Sequence, residues 1–205
     1  MPALMLWTKF DILDQPVRLA FDDDCYYARD YISHARYDAS DGNNLVSNFK
    51  KPVSTKGTYQ WPHKLRAIEQ FAKELRELIA DGAVVAAIPT SKCRTDAEYD
   101  SRLDDVLAHL HQLNPAIRIE CPIDRHTTAQ ALHLGGSRTI DDVAATLQWN
   151  GFQTVPGAIV LIDDIITCGT NFKACQRLIQ QKHPGLKVHG AFWARTVWPA
   201  PTVES

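Results

Sequence analysis

From Trp61 onward the chain alternates helical and extended apolar patterns, and that alternation leaves few folds open to it. The stretch WPHKLRAIEQFAKELRELIADG puts Leu65, Ile68, Phe71, Ala72, Leu75, Leu78 and Ile79 on one stripe. Pro62 stands near its start and Gly82 past its end, which predicts an amphipathic helix. AVVAAIP (83–89) is uninterrupted and apolar, as a strand covered on both faces would be. TDAEYDSRLDDVLAHLHQL opens with a Thr95…Glu98 capping-box spacing and carries Tyr99, Leu103, Val106, Leu107 and Leu110 at helical intervals. AIRIE (116–120) reads as a second strand and TIDDVAATLQW (139–149) as a short helix. GAIVLID (157–163) reads as a third strand, TNFKACQRLIQQKH as a helix and LKVHGAFWA (186–194) as a last strand. Crossovers of this length join parallel strands, so residues 61–205 are expected to form an α/β domain. Its core would be an open, mostly parallel sheet with helices on both faces. Residues 1–60, aromatic and rich in Asp and Asn with no sustained period, read as an irregular extension or hood packed on that core.

Ligands of such sheets bind beyond the carboxyl ends of the strands. The polar stretches after Pro89, Glu120 and Ile162 therefore open onto one edge, and 121–138 is expected to be a mobile loop over it. The most informative stretch is AIVLIDDIITCGTNF, 158–172, where an apolar strand runs into Asp163 and Asp164. Unpaired buried carboxylates are costly, so both should meet an opening or strong donors. Two neighbouring carboxylates can accept from the adjacent hydroxyls of a ribose. Just beyond, Ile166, Thr167, Cys168, Gly169 and Thr170 lead into a helix whose free amides and dipole favour an anion. Gly169 lets the backbone curl round it. Diol-reading acids next to a phosphate cradle suit a ribose 5-phosphate.

The unbroken string from Ile159 to Thr170 resembles the binding signature of type I phosphoribosyltransferases: several apolar residues, two acids, two apolar residues, then Thr-x-Gly-Thr. PTSKCR (89–94) stands where such enzymes carry a pyrophosphate loop, with Thr90 and Ser91 and the counter-charges Lys92 and Arg94. RHTTAQALHLGGSRTIDDVAATL (125–147) is similar to the loop of the ComF-type branch, with Arg125, Thr128, Gln130, Leu134 and Arg138 on its pattern. FWARTV (192–197) is similar to that branch's closing strand. The branch's four-cysteine zinc ribbon is absent from this sequence, and the Asn that follows the loop Arg is replaced within TIDDV.

The resemblance covers about residues 80 to 197. It implies a Rossmann-like fold and transfer of phosphoribose from phosphoribosyl pyrophosphate (PRPP) to a nitrogen nucleophile such as a nucleobase. Asp163 and Asp164 would serve as ribose-binding and catalytic acids. Mg²⁺ would be held through substrate and water rather than by a protein cage, with Lys92, Arg94 and either Arg125 or Arg138 assisting, and the loop closing over the sugar. A homodimer is compatible with it. The N-terminal stretches YYARDYISHARY (26–37) and NNLVSNFKKP (43–52) would supply acceptor specificity.

Composition narrows the rivals. A formal charge of −2 argues against general affinity for nucleic acid or anionic membrane. Lys50, Lys51 and Lys56 beside Phe49, Tyr59 and Trp61 leave contact with a single strand as a minor alternative. Five cysteines without a paired framework suit reduced thiols and a cytoplasmic setting, and the start MPALMLWTKFDILD lacks a signal-peptide pattern. GxxxxGK[ST] and GxGxxG motifs are absent, which excludes P-loop kinases and dinucleotide dehydrogenases. The rival of another class is a PRPP- or nucleotide-binding regulatory or DNA-uptake protein that kept the pocket without the reaction. His126 and His133 read as solvated loop residues, and Cys168 as a thiol whose pKa a helix N-terminus would lower.

Overall fold

The computed structural model describes residues 6–11, 18–128 and 139–199. Strands β1 (Thr8–Lys9), β2 (Cys25–Tyr27) and β3 (Asp30–Ile32) precede helix α1 (Asp41–Phe49), a 3-10 turn at Val53–Thr55 and helix α2 (Trp61–Leu78). There follow β4 (Val84–Ala87), α3 (Arg102–Leu113), β5 (Arg118–Ile119), β6 (Ile123–Arg125), α4 (Ile140–Ala144) and β7 (Leu147–Trp149). The chain ends on β8 (Ala158–Ile166), α5 (Thr170–Lys182) and β9 (Lys187–Val197). The main sheet runs β1-β2-β9-β8-β4-β5, with β3 also on β9. Every pairing in it is parallel except β1 with β2.

Two cores sandwich this sheet. On one face α1, α2 and α3 bury Phe49, Ile68, Phe71, Leu75 and Leu107 against Val85, Ile162 and Trp193. Trp193 stacks on Phe71 at 4.8 Å and meets Phe49 edge-on. Each such side chain contributes roughly 1.5–3 kcal/mol by leaving water. On the other face α4, α5 and the β6–β7 ribbon bury Val143, Leu147, Phe172 and Ile179 against Ile159, Leu161 and Phe192. The expected open parallel sheet with helices on both faces is what forms.

Four local expectations are corrected. Residues 1–60 carry more regular structure than their pattern suggests: β2 and β3 extend the sheet by pairing with β9, an interaction with no local signal in either segment. The stretch 121–138 is not wholly a loop, because β6 pairs antiparallel with β7, which also ends the helix expected over 139–149 at Ala144. Thr95 and Glu98 form no capping box; α3 starts at Arg102, while a reciprocal box forms at Thr139 and Asp142. Leu65, placed on the apolar stripe of α2, is 43% exposed, and Lys64 beside it is buried.

Candidate functional site

β4 stops at Ala87 opposite Ile162, but β8 continues to Ile166 against β9, so its last residues project past the sheet. There a cavity of about 230 Å³ is lined by Asp163, Ile165 and the turn Ile166–Thr170, with Val143 and Phe172 behind. The turn reverses at Gly169, whose φ of 79° is the left-handed region that L side chains resist. Gly169 is the N-cap of α5, and of the amides from Thr167 to Phe172 that of Thr170 turns toward Cys168 Sγ, while none donates to a described backbone carbonyl. Leu19 packs on Gly169, and the Arg18 amide donates to Cys168 O at 2.5 Å, so the N-terminal segment fixes the turn from outside. Burial raises the Cys168 thiol, but hydrogen bonds with Thr170 (3.0 Å) and Thr167 outweigh it and leave the thiol below its ordinary value.

The two acids do not share an opening. β8 does not end at Asp163, and strand alternation sends consecutive side chains to opposite faces. Asp163 is half-buried on the α4/α5 side and lines the cavity. Its carboxylate accepts from the Asp164 amide at 2.8 Å, and burial, then the Asp164 charge, push its pKa up to about 7. Asp164, 3% exposed, points to the α1/α3 side. Arg102 Nε and Nη2 donate to its Oδ2 at 3.1 and 2.9 Å, and Lys50 Nζ lies 3.2 Å from Oδ1. Asp164 thus meets strong donors, and the two neighbouring carboxylates, expected to accept from one diol, face opposite sides of the sheet.

Behind Asp164 the charges continue inward. Arg102 Nη1 donates to Asp100 at 3.0 Å, and Lys64 Nζ donates to the same carboxylate at 2.6 Å and to the carbonyls of Phe49 and Lys51. The sequence reading missed Lys64, Asp100 and Arg102, and it gave Lys50 a different role, contact with a single strand. A signal for Lys64 existed, since it lies at helical spacing from Ile68, Phe71 and Leu75.

Thr90, Ser91 and Lys92 line a second cavity, about 630 Å³, that also includes Lys50, Ser54, Asp100 and Arg102. The amides of Thr90, Ser91 and Lys92 donate to no other described residue. The two cations expected to serve an anion here are each paired with acids. Lys92 pairs with Glu98 and lies 3.8 Å from Asp96. Arg94 turns away, holding Asp104 at 2.8 and 3.0 Å and Asp124 at 2.8 Å over the Tyr99 ring. The loop is braced from β6: buried Arg125 donates to the carbonyls of Pro89 and Thr90 and to Thr146 Oγ1. Thr128 Oγ1 accepts from the Cys93 amide at 3.2 Å and donates to Asp96 at 2.7 Å. Gln130, His133, Leu134 and Arg138 lie outside the described residues.

In the stretches expected to read an acceptor, Phe49 is in the core and Asn43 is buried, bridging the Ile32 amide and carbonyl at 2.8 and 3.0 Å. Among the described residues no three His, Cys, Asp or Glu side chains cluster to hold a metal ion. No helix among them is long and apolar enough to cross a membrane.

No protein-family model and no curated protein sequence matches the chain. Among solved structures it is similar to a hypoxanthine phosphoribosyltransferase from Staphylococcus aureus, at 13% identity and TM-score 0.39, over 63% of this chain and 72% of that one. It is similar also to the hypoxanthine phosphoribosyl transferase of Trypanosoma cruzi, at 11% and 0.37, over 65% and 73%. The xanthine-guanine-hypoxanthine phosphoribosyltransferase of Helicobacter pylori gives 14% and 0.35, over 70% and 87%. Similarity at this level transfers no activity to this chain.

Proposed function

We propose that the chain binds PRPP at the β8–α5 edge and transfers its phosphoribosyl group to a nitrogen nucleophile, a nucleobase or related heterocycle. The observation that carries this reading is that Asp163 lines the same cavity as the Gly169 turn at the head of α5. The turn amides would take the 5′-phosphate and the Thr170 hydroxyl would add a donor. Asp163 would accept from the ribose hydroxyls. In the reaction the C1–N bond forms as the C1–O bond to pyrophosphate breaks. The leaving group takes the bonding pair, and the nucleophile's proton passes to solvent or to a neighbouring base.

Positive charge grows on the sugar in the transition state, where the Asp163 carboxylate stabilises it. The donor set fits a Mg²⁺ that arrives with its ligand: Asp163 offers the cavity one hard oxygen group. Bound to the diphosphate, Mg²⁺ would neutralise the leaving group's charge. The residues 121–128 that precede the undescribed stretch already brace the loop at 89–94 and so help shape the site.

The test is pyrophosphate release from PRPP and Mg²⁺ with a panel of purine and pyrimidine bases, for wild type and Asp163→Asn. The variant should retain less than about a hundredth of the rate. Equal turnover in both would sink the proposal.

A second reading, a PRPP-binding regulator without turnover, is favoured by the pairing of Lys92 and Arg94 with acids of their own chain. Calorimetry showing PRPP binding with no pyrophosphate released beside any base would select it.

A further inference from the structure

We infer that Lys50 and Arg102, rather than Lys92 and Arg94, form the anion site of the 630 Å³ cavity, and that its ligand is a diphosphate. The inference deepens the proposed function, since it assigns the pyrophosphate end of the same substrate. The two cations come from distant parts of the chain, the C-terminal end of α1 and the start of α3, and converge because both bind Asp164. Asp164 is a positioning residue: buried behind the wall, it holds two donors that line the cavity.

Charge and donor counts support an anion. The charged side chains that line the cavity are Lys50, Lys92 and Arg102 against Glu98 and Asp100, one positive charge in excess, and behind the wall Lys64 offsets Asp164. Lys50 Nζ pairs with Asp164 at 3.2 Å and is 40% exposed along its side chain, so its ammonium can also meet a ligand. Arg102 places three of its five N–H groups on the two carboxylates. Across the cavity the amides of Thr90, Ser91 and Lys92 have no described acceptor. Successive amides facing cations are the arrangement that phosphate oxygens satisfy. Lys92, by contrast, is held by an exposed glutamate, and Arg94 is fixed by two aspartates on the far side of its loop.

The placement of Lys50 is built, not incidental. The Lys64 ammonium grips the carbonyls of Phe49 and Lys51, the residues on either side of Lys50. The backbone that carries the ligand-facing cation is thereby pinned from inside the protein.

The experiment is calorimetry at low salt with inorganic pyrophosphate, PRPP and ribose 5-phosphate on wild type, Lys50→Met and Ser54→Asp. Lys50→Met should weaken pyrophosphate and PRPP about tenfold and leave ribose 5-phosphate within about twofold. Ser54→Asp, on an exposed position of the rim, should weaken pyrophosphate severalfold by repulsion without touching the core. Pyrophosphate affinity unchanged in both variants, or an equal loss for all three ligands, overturns the inference. Wild type binding ribose 5-phosphate but not pyrophosphate overturns it too and leaves the phosphoribosyl reading standing. Pyrophosphate bound through Lys50, with neither PRPP nor ribose 5-phosphate bound, supports the anion site and removes that reading instead.

Discussion

Lys64 Nζ lies 2.6 Å from Asp100 Oδ2 with 1% of the lysine side chain exposed, so α2 carries a full charge into the core beside α1 and α3. Burial lowers the lysine's pKa, and the Asp100 carboxylate opposes that shift. Lys64→Met keeps the packing of the stem but strands the carbonyls of Phe49 and Lys51. It should cost about 2 kcal/mol, read as a lower urea midpoint with an unchanged slope. Because those carbonyls flank Lys50, the variant should also weaken pyrophosphate binding severalfold, although residue 64 does not line the cavity.

Gly169→Ala tests the phosphate turn. Its φ of 79° and a Leu19 methyl 3.2 Å from the position of an added Cβ both oppose a side chain. The substitution should lower stability by about 1–2 kcal/mol. It should weaken ribose 5-phosphate more than inorganic pyrophosphate if the turn serves the 5′-phosphate as proposed. A thermal melt and calorimetry on the two ligands check this. Equal affinities for ribose 5-phosphate in the two proteins would contradict the role given to the turn.

The long elements were legible because each announces itself locally. α2, α5, β8 and β9 carry periods or apolar runs that only one secondary structure satisfies, and their alternation dictates a parallel sheet. Short elements were not, because partners far along the chain create them. β2 and β3 are three residues each and exist through β9, and β6 exists through β7. The acids at 163–164 read as one paired site in the sequence, yet their divergence depends on β8 running three residues past Asp163. That follows from β9 reaching Val197, not from anything in DDIIT. Thr95…Glu98 has the spacing of a cap, but Glu98 pairs with Lys92 and Thr95 meets Cys93 Sγ, so the first turn never forms there. Arg94 likewise reads as a free cation until the fold brings Asp104 and Asp124 to it.

Gly42→Ala tests whether the N-terminal sixty residues are integral to the site. Gly42 is buried in the first turn of α1, and a Cβ there would overlap the Asp30 carbonyl oxygen of β3, a backbone atom that β9 pairing holds in place. Asn43 and the Ser40 cap latch the same junction. The substitution should cost about 2–3 kcal/mol through overpacking. By displacing α1 it should also lower pyrophosphate affinity through Lys50. Chemical denaturation followed by tryptophan fluorescence measures the first effect, since Trp193 packs on Phe49 at the end of α1. Loss of stability with pyrophosphate affinity intact would mean that Lys50 does not depend on the α1 junction.

The pH dependence of stability reports on Asp163. Its carboxyl titrates at about 7 in the folded protein and at an ordinary 3.8 when the chain is unfolded. Between those values the folded state holds a proton that the unfolded chain has released. The group's stabilising share is therefore complete below about pH 4 and is lost as the pH rises through 7. Asp163→Asn removes this titration, so its stability relative to wild type should improve from pH 5 to pH 8 by about 2 kcal/mol, discounted from the full linkage because the side chain is partly exposed. Urea midpoints at the two pH values measure the difference. Ligand binding should move the opposite way. Only the ionised carboxylate accepts both ribose hydroxyls, so wild-type affinity for ribose 5-phosphate should fall as the pH drops below 7, beyond the fall due to phosphate protonation. That extra loss should be missing in Asp163→Asn, whose neutral amide has no proton to gain. Stability curves that stay parallel between pH 5 and 8 would show that the Asp163 carboxylate is already ionised in the fold and is not held protonated by its burial.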